Sequence, residues 1–144
     1  MNTNRKTVQR FQDVKIDVKL KLSALWVVLM FCYTYADILG FYAPGNLEEL
    51  MAGEIAGIQM TQGLLLSSAV LMAIPSAMIF LSLALKARAN RLVNIIAGLV
   101  YMAVLGSTFL TGRNPAYYIL YAIGKAVLLA LIVWHAFKWP KGQG

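Results

Sequence analysis

The sequence contains few charges and almost none of the residues that bind metals or form disulfides. Only 13% of the 144 residues are charged, 60% are apolar, and the mean hydropathy is +0.67. Soluble domains are about 45–50% apolar and about 25% charged. The single cysteine, Cys32, excludes an intrachain disulfide, and the single histidine excludes a zinc site built from a cysteine–histidine cluster. The composition therefore indicates an integral membrane protein and excludes a soluble enzyme domain.

Four long apolar segments fill most of the chain, at about residues 22–42, 60–85, 91–111 and 115–138. A membrane-spanning helix needs about 20 apolar residues, because each residue adds about 1.5 Å to its length. Segments of this length without alternation predict helices rather than barrel strands. The expected fold is all-α, an integral membrane four-helix bundle that forms one transmembrane domain over residues 1–144.

Basic residues are distributed unevenly between the ends of these segments. The arm 1–21 has six and the connection 86–91 has three, and the C-terminal tail contains Lys138 and Lys141, whereas the opposite side has Arg113 and three glutamates. Because basic residues accumulate on the cytoplasmic side, this predicts a multi-pass membrane protein with both termini in the cytoplasm. The arm is expected to contact anionic lipid head groups. No nucleic-acid partner is expected, since no basic aromatic surface accompanies the charge.

The connection after the first segment resembles the start of a helix. Asn46 is the expected N-cap, with Glu49 at the position of a capping box. One straight helix over 47–85 would be about 58 Å long, nearly twice the hydrocarbon thickness. A break is therefore expected near Gly53 or Gly57, and the first piece is predicted to be a short amphipathic helix on the outer surface.

Asp37 and Lys125 are the charged residues inside the apolar segments that are most informative about function. An ionised side chain at the bilayer centre costs about 2.5–3.5 kcal/mol on the most lenient scale. The two lie at similar depths in the outer half of the first and fourth segments, and both side chains lean toward the N-terminus of their own helix, so their heads converge. They form either a buried ion pair that fixes the two helices or a ligand or ion site; otherwise Lys125 snorkels without a partner.

Tyrosines and polar residues surround these two positions. Tyr33 precedes Asp37 by one helical turn, and Tyr121 and Tyr118 share the face of Lys125. An aromatic belt is the alternative interpretation of the tyrosines, and a solvated helix end that of the polar residues. No catalytic residue, metal ligand or cofactor is expected, since no nucleophile elbow, phosphate-binding loop, zinc-binding HExxH or CxxC motif is present. The predicted ligand-binding residues are Asp37, Lys125, Tyr33, Tyr121, Tyr118, Glu54 and Gln62.

Other residues predict packing rather than a site. Pro75, deep in the second segment, removes one backbone donor and crowds the carbonyl of Leu71. Asn94 is expected to donate an interhelical hydrogen bond, and His135 to belong to the aromatic belt at the inner interface. Rows of alanines four residues apart indicate tight contacts within the bundle or an oligomer: Ala69, Ala73 and Ala77, and Ala122, Ala126 and Ala130.

Four stretches carry a resemblance that covers nearly the whole chain: LSALW at 22–26, YTYADILG at 33–40, EELMAGE at 48–54 and VWHAFKWP at 133–140. They resemble a family of small, uncharacterised four-helix bacterial membrane proteins. In size and layout the chain is also remotely similar to DoxX-like membrane proteins. The resemblance implies the bacterial cytoplasmic membrane and a four-helix fold, and it brings no activity with it.

The function expected from these features is binding or transport of a small polar or amphiphilic ligand or ion between the first and fourth helices. The alternative is a structural or assembly subunit of a membrane complex, in which Asp37 and Lys125 form only a structural ion pair. Acid–base catalysis by these two residues on a lipophilic substrate is a third interpretation. The expected partners are membrane lipids, a small-molecule ligand and a second copy of the chain.

Overall fold

The computed structural model describes residues 14–55, 57–111 and 115–139. Four long helices account for most of this part of the chain, and each is long and apolar enough to cross a membrane. The all-α fold predicted from the apolar segments is therefore confirmed. The elements are α1 (Val18–Phe41), α2 (Asn46–Met51), β1 (Glu54–Ile55), β2 (Ile58–Gln59), α3 (Gln62–Ala84), α4 (Ala87–Thr111) and α5 (Ala116–Phe137).

The helix α1 occupies the centre of the packing, with α3 on one side and α5 on the other. The helix α4 packs along α5, and the contact between α3 and α4 is much less extensive. Buried residues recur at intervals of three and four, which places them on one face of each helix. On α1 they include Leu22, Trp26 and Leu29, and on α5 they are Ala122, Lys125, Leu129, Ile132 and Ala136. Lys125 thus occupies a regular core position.

The N-terminus of α1 lies earlier than the apolar segment suggests. The helix begins at Val18 rather than near residue 22, and the carboxylate of Asp17 caps it by accepting a hydrogen bond of 2.7 Å from the N–H of Lys19. The last residues of the predicted arm 1–21 are therefore helical, because the side-chain cap stabilises the first turn. Residues 1–13 lie outside the described residues.

The predicted N-cap of α2 is wrong. Gly45 caps the helix with a backbone φ of 86°, and Asn46 is the first helical residue. Glycine adopts this left-handed conformation without steric cost, and its carbonyl accepts from the N–H of Glu49 at 3.1 Å. The side chain of Asn46 instead donates a hydrogen bond of 2.9 Å to the carbonyl of Gly40, which ties α2 to the end of α1.

The predicted break near Gly53 or Gly57 is confirmed, but its form differs from the expectation. A two-stranded hairpin follows α2, with Glu54 opposite Gln59 and Ile55 opposite Ile58. Gly53 and Gly57 have φ values of 78° and 77°, which end the helical path on either side of β1. The sequence does not predict these two short strands, because the apolar residues of this segment are spaced as in a helix.

Hydrogen bonds from side chains complete the backbone of α3. The N–H of Leu85 bonds the carbonyl of Leu81, but the next carbonyls near the helix end need donors from elsewhere. Asn90 Nδ2 donates to the carbonyl of Ser82 at 2.5 Å, and Lys19 Nζ donates to that of Leu83 at 3.2 Å. Donors from α4 and α1 therefore fix one end of α3.

The alanine rows do not all face the bundle. Ala122 is buried between the helices, whereas Ala126 and Ala130 are exposed. All three alanines of the row on α3, Ala69, Ala73 and Ala77, are exposed as well. The predicted contact within the bundle is therefore wrong for the row on α3, because α1 packs against another face of that helix. Contact in an oligomer stays a prediction.

Candidate functional site

Lys125 lies in the interface between α1 and α5 and is only 2% exposed. Its Nζ is 4.3 Å from the ring centroid of Tyr33 on α1 and 5.0 Å from that of Tyr118 on α5. Tyr118 precedes Lys125 by seven residues, two turns along the same face of α5. The ammonium group is therefore held between two phenol rings, one from each helix, in the geometry of a cation–π interaction.

The ammonium of Lys125 has no hydrogen-bond acceptor among the residues that the structure describes. Cation–π contacts contribute roughly 0.5–2 kcal/mol each. Placing a lysine at the centre of a bilayer costs at least about 2.5–3.5 kcal/mol. Two such contacts contribute roughly 1–4 kcal/mol together, which is comparable to this cost, but they leave the three N–H donors without a hydrogen-bond acceptor in the described structure.

Asp37 follows Tyr33 by one turn of α1, and its side chain is exposed. Its carboxylate attracts Lys125 electrostatically across the α1–α5 interface, so the two charges occupy the same region of the fold, as predicted. Within the described part of the chain, however, they form no direct ion pair. Asp37 therefore lies at the accessible edge of the site and Lys125 lies inside it.

The hydroxyl of Tyr33 is the second unsatisfied group in this region. It is buried and has no hydrogen-bond partner in the described structure. Its ring packs edge-on against Tyr101 of α4, with centroids 6.5 Å apart at 73°. Most buried polar atoms in proteins are hydrogen-bonded, so each exception needs an explanation. Tyr33, Asp37, Tyr118 and Lys125 are called the lysine group below.

The other predicted site residues lie apart from the lysine group in the contacts that the described residues make. Tyr121 is half-buried on α5, but its ring is not one of those stacked on the ammonium. Glu54 lies in the hairpin, where its Oε1 accepts a hydrogen bond of 2.9 Å from Gln59 Nε2. Gln62 is the exposed first residue of α3. The structure therefore brings together four of the seven predicted residues.

A second set of buried polar residues joins α1, α3 and α4. Asn94 Oδ1 accepts from Trp26 Nε1 at 2.7 Å and from Ser82 Oγ at 3.3 Å. Asn94 Nδ2 donates to the carbonyl and to the Oδ1 of Asn90, at 2.9 and 2.6 Å. The interhelical hydrogen bonding predicted for Asn94 is confirmed, but the predicted direction is wrong, because Asn94 accepts from α1 and α3 and its own amide donates only within α4. Trp26, Ser82, Asn90 and Asn94 are called the asparagine cluster below.

Tyr101 connects the two regions and was not identified from the sequence. Its ring packs edge-on against Trp26, with centroids 6.1 Å apart at 84°, as well as against Tyr33. Its hydroxyl donates a hydrogen bond to the carbonyl of Leu71. Pro75 cannot supply the backbone N–H that would bond this carbonyl. The only signal in the sequence was Pro75 itself, which shows that a donor is missing but not where the replacement comes from.

A family model matches residues 10–143 of the chain, which includes all four long helices. The chain belongs to DUF6326, a family of unknown function. The DUF6326 match covers both the lysine group and the asparagine cluster, and it confirms the resemblance to an uncharacterised family. No curated protein and no solved structure matches the chain significantly.

In this DUF6326 protein, hydrogen-bond donors lie inside the lysine group and a carboxylate lies at its accessible edge. Lys125 and Tyr33 offer N–H and O–H donors to an oxygen or an anion, and Asp37 offers an acceptor. No set of three or more metal-ligating side chains occurs among the described residues. The arrangement therefore suits a polar or charged molecule held by hydrogen bonds.

Proposed function

We propose that the protein is a bacterial inner-membrane protein that binds or transports a small polar or amphiphilic ligand or ion between α1 and α5. One observation carries the proposal. Lys125 is a buried residue whose ammonium lies over the ring of Tyr33, the buried hydroxyl of Tyr33 lies in the same interface, and neither group has a hydrogen-bond acceptor in the described structure. A bound ligand with an oxygen or anionic group would supply the acceptor for both.

Stability alone is a poor reason for this arrangement. Lys125 occupies a core position between Ala122 and Leu129, where a leucine or methionine would fit the packing pattern. Replacing a buried charged group by an apolar residue of similar volume is often neutral or stabilising. A buried ionisable residue in a membrane segment is therefore interpreted first as a functional residue.

The ligand is expected to contain an acceptor group that faces Lys125 and Tyr33. A carboxylate, a phosphate or a carbonyl oxygen meets this requirement, and charge-assisted hydrogen bonds to an ammonium are the strongest type. The exposed carboxylate of Asp37 would meet a hydroxyl, an amine or a cation at the edge of the site. The apolar surfaces of α1 and α5 can contact an aliphatic portion of the ligand. The proposed ligands therefore include amphiphilic molecules.

The proposed orientation places the lysine group in the outer half of the bilayer. The beginning of α1 meets the end of α3 through Lys19 and Leu83, so the basic residues around them lie at one end of the bundle. Basic residues favour the cytoplasmic side, which puts both termini inside. Asp37 lies four residues before the end of α1 at Phe41, toward the opposite end.

The short segment between α1 and α3 is proposed to lie at the outer surface. Tyr42 is 80% exposed and Met51 is 83% exposed, and the apolar side chains of Leu47, Ile55 and Ile58 are exposed as well. Apolar side chains on a short, partly polar segment favour the boundary between head groups and acyl chains. This agrees with the amphipathic outer helix expected from the sequence, although the segment also includes the hairpin.

Native mass spectrometry of the protein released from nanodiscs tests the proposed function. We expect a discrete additional mass on the wild type that is lost in Lys125→Met and in Asp37→Asn. Tyr35→Phe is the control, because this phenol is 51% exposed and its ring stacks on Phe31 rather than on the lysine group. Retention of the same mass by the folded Lys125→Met variant would overturn the proposal.

A structural or assembly subunit is the second candidate, and one contact favours it. The cation–π contact between Lys125 and Tyr33 joins α5 to α1, so it fixes the two helices even without a ligand. In that case the purified protein contains a partner protein and no small molecule. The exchange of charges, Asp37→Lys with Lys125→Asp, would then restore the stability that either single change removes.

A further inference from the structure

A second region of the α1–α5 interface, at the other end of the two helices, forms an open groove of about 260 Å³. Its lining residues are Lys21, Ala24, Leu25, Val28 and His135. The four on α1 are spaced by three, four and seven residues, so they form one stripe that extends about 10 Å along the helix. The groove is therefore charged near the N-terminus of α1, at Lys21, and apolar along the next two turns of that helix.

The groove lies apart from the lysine group. His135 follows Lys125 by ten residues on α5, which corresponds to about 15 Å along the helix. None of the four residues of the lysine group lines the groove. Binding in the groove and binding at Lys125 are therefore separable by mutation.

Two nitrogen groups at the charged end of the groove are available to an anion. Lys21, in the first turn of α1, forms no side-chain hydrogen bond or ion pair with any described residue. His135 Nδ1 lies 2.8 Å from the carbonyl of Leu131. Because a carbonyl only accepts, Nδ1 carries the proton in this contact, so Nε2 donates to an anion in the imidazolium form of His135.

Three neighbouring cations at the same end are already engaged. Lys19 Nζ donates to the carbonyl of Leu83. Lys138 Nζ lies 3.9 Å from the ring centroid of Trp134, and Arg91 lies 5.5 Å from that of Phe137. Lys21 is thus distinguished from these cations by its free ammonium and by the apolar surface directly beside it.

We propose that this groove binds one acidic phospholipid, with its phosphate at Lys21 and His135 and an acyl chain along Ala24, Leu25 and Val28. Charge complementarity selects an anionic head group, and the end of a membrane-crossing helix places it at the depth of lipid phosphates. The apolar stripe selects a lipid over free phosphate, which could not cover it. The volume is below that of typical drug-sized sites, about 300–1,000 Å³, and suits a narrow chain.

Native mass spectrometry from nanodiscs with equal amounts of phosphatidylglycerol and phosphatidylcholine tests the head-group contact. The wild type should retain one phosphatidylglycerol in preference to phosphatidylcholine. Lys21→Gln should lower this retention about tenfold, since hydrogen bonds to charged groups are the strong ones. The matched control is Lys86→Gln, which removes an exposed positive charge in the α3–α4 connection, outside the groove, and should leave retention unchanged.

A second pair of variants tests the acyl-chain contact. Val28→Phe narrows the groove without changing its charge and should lower retention, whereas Val100→Phe on α4 should not. Both valines are about half exposed, at 47% and 49%, so the larger ring does not overpack the core. Equal losses in Lys21→Gln and Lys86→Gln would show diffuse surface electrostatics and overturn the proposal. So would full retention in Val28→Phe, or a wild type that retains both lipids equally.

Discussion

The asparagine cluster and the lysine group both bury polar atoms in the bundle, but they differ in whether these atoms are hydrogen-bonded. In the asparagine cluster, the side chains of Trp26, Ser82, Asn90 and Asn94 all hydrogen-bond one another or a backbone carbonyl. In the lysine group, an ammonium faces two aromatic rings and a phenol hydroxyl has no partner in the described structure. The first arrangement is complete without a ligand, and the second is not.

This difference distinguishes buried polar groups that stabilise the fold from buried polar groups that we propose bind a ligand. A satisfied hydrogen bond contributes about 1 kcal/mol to stability, whereas an unsatisfied buried group costs about 1–3 kcal/mol. The asparagine cluster therefore stabilises the junction of α1, α3 and α4. If the proposed function holds, the lysine group reduces stability in the free protein, and binding of a ligand recovers that free energy. The variants below test this contrast, from the largest expected effect to the smallest.

Removal of the central amide should have the largest effect on folding. Asn94→Ala leaves Trp26 Nε1, Ser82 Oγ and Asn90 Oδ1 without their partners, so we expect a loss of about 3–5 kcal/mol in the free energy of unfolding. Unfolding in mixed detergent micelles measures it. A loss below 1 kcal/mol, on the order of a single hydrogen bond, would show that the cluster is not cooperative.

Lys125→Met is the corresponding change in the lysine group and should act in the opposite direction. The substitution removes a buried charge and keeps the side-chain length, so the free energy of unfolding should stay the same or rise by about 1–3 kcal/mol. The same unfolding assay applies, with Lys86→Met as the exposed control. Clear destabilisation would instead favour the structural interpretation of Lys125.

Two hydroxyl deletions provide the most closely matched comparison. Tyr101→Phe leaves the carbonyl of Leu71 without a donor and should lower stability by about 1 kcal/mol. Tyr33→Phe removes a hydroxyl that has no partner in the described structure and should not lower stability. Thermal unfolding of the two variants side by side measures the difference. Equal destabilisation would mean that Tyr33 has a structural hydrogen bond after all.

Asp37→Asn should have the smallest effect on folding, because the carboxylate is exposed and makes no direct ion pair within the described residues. We expect a change below about 1 kcal/mol, in the range of surface charge interactions. Its effect should appear in ligand binding, which the native mass spectra measure. A large loss of stability would indicate that its attraction to Lys125 holds α1 against α5.

The sequence predicted features that depend on long-range hydropathy and missed those that depend on local geometry. The four apolar helices and the shared location of Asp37 and Lys125 follow from segment length and helical depth. The N-cap of α2 was misplaced because Asn46 fits a capping box by type, while the positive φ of Gly45 determines the actual helix start. The hairpin was missed because each strand has only two residues.

The asparagine cluster was found only in part for a different reason. Asn94 was identified because a polar residue in an apolar segment is expected to find a partner. Its partners Trp26 and Ser82 lie on other helices, so only the three-dimensional packing of α1, α3 and α4 reveals them. Tyr101 was missed in the same way, since its bond to Leu71 depends on how α4 approaches the proline of α3.

The most direct test of the central claim is native mass spectrometry of the wild type beside Tyr33→Phe, each released from nanodiscs. The variant keeps the ring that contacts Lys125 and removes only the hydroxyl. We predict a discrete bound mass on the wild type and retention of it about tenfold lower in the variant, since the hydroxyl donates to the ligand. Equal retention in the two proteins, or a wild type with no bound mass, would contradict the account.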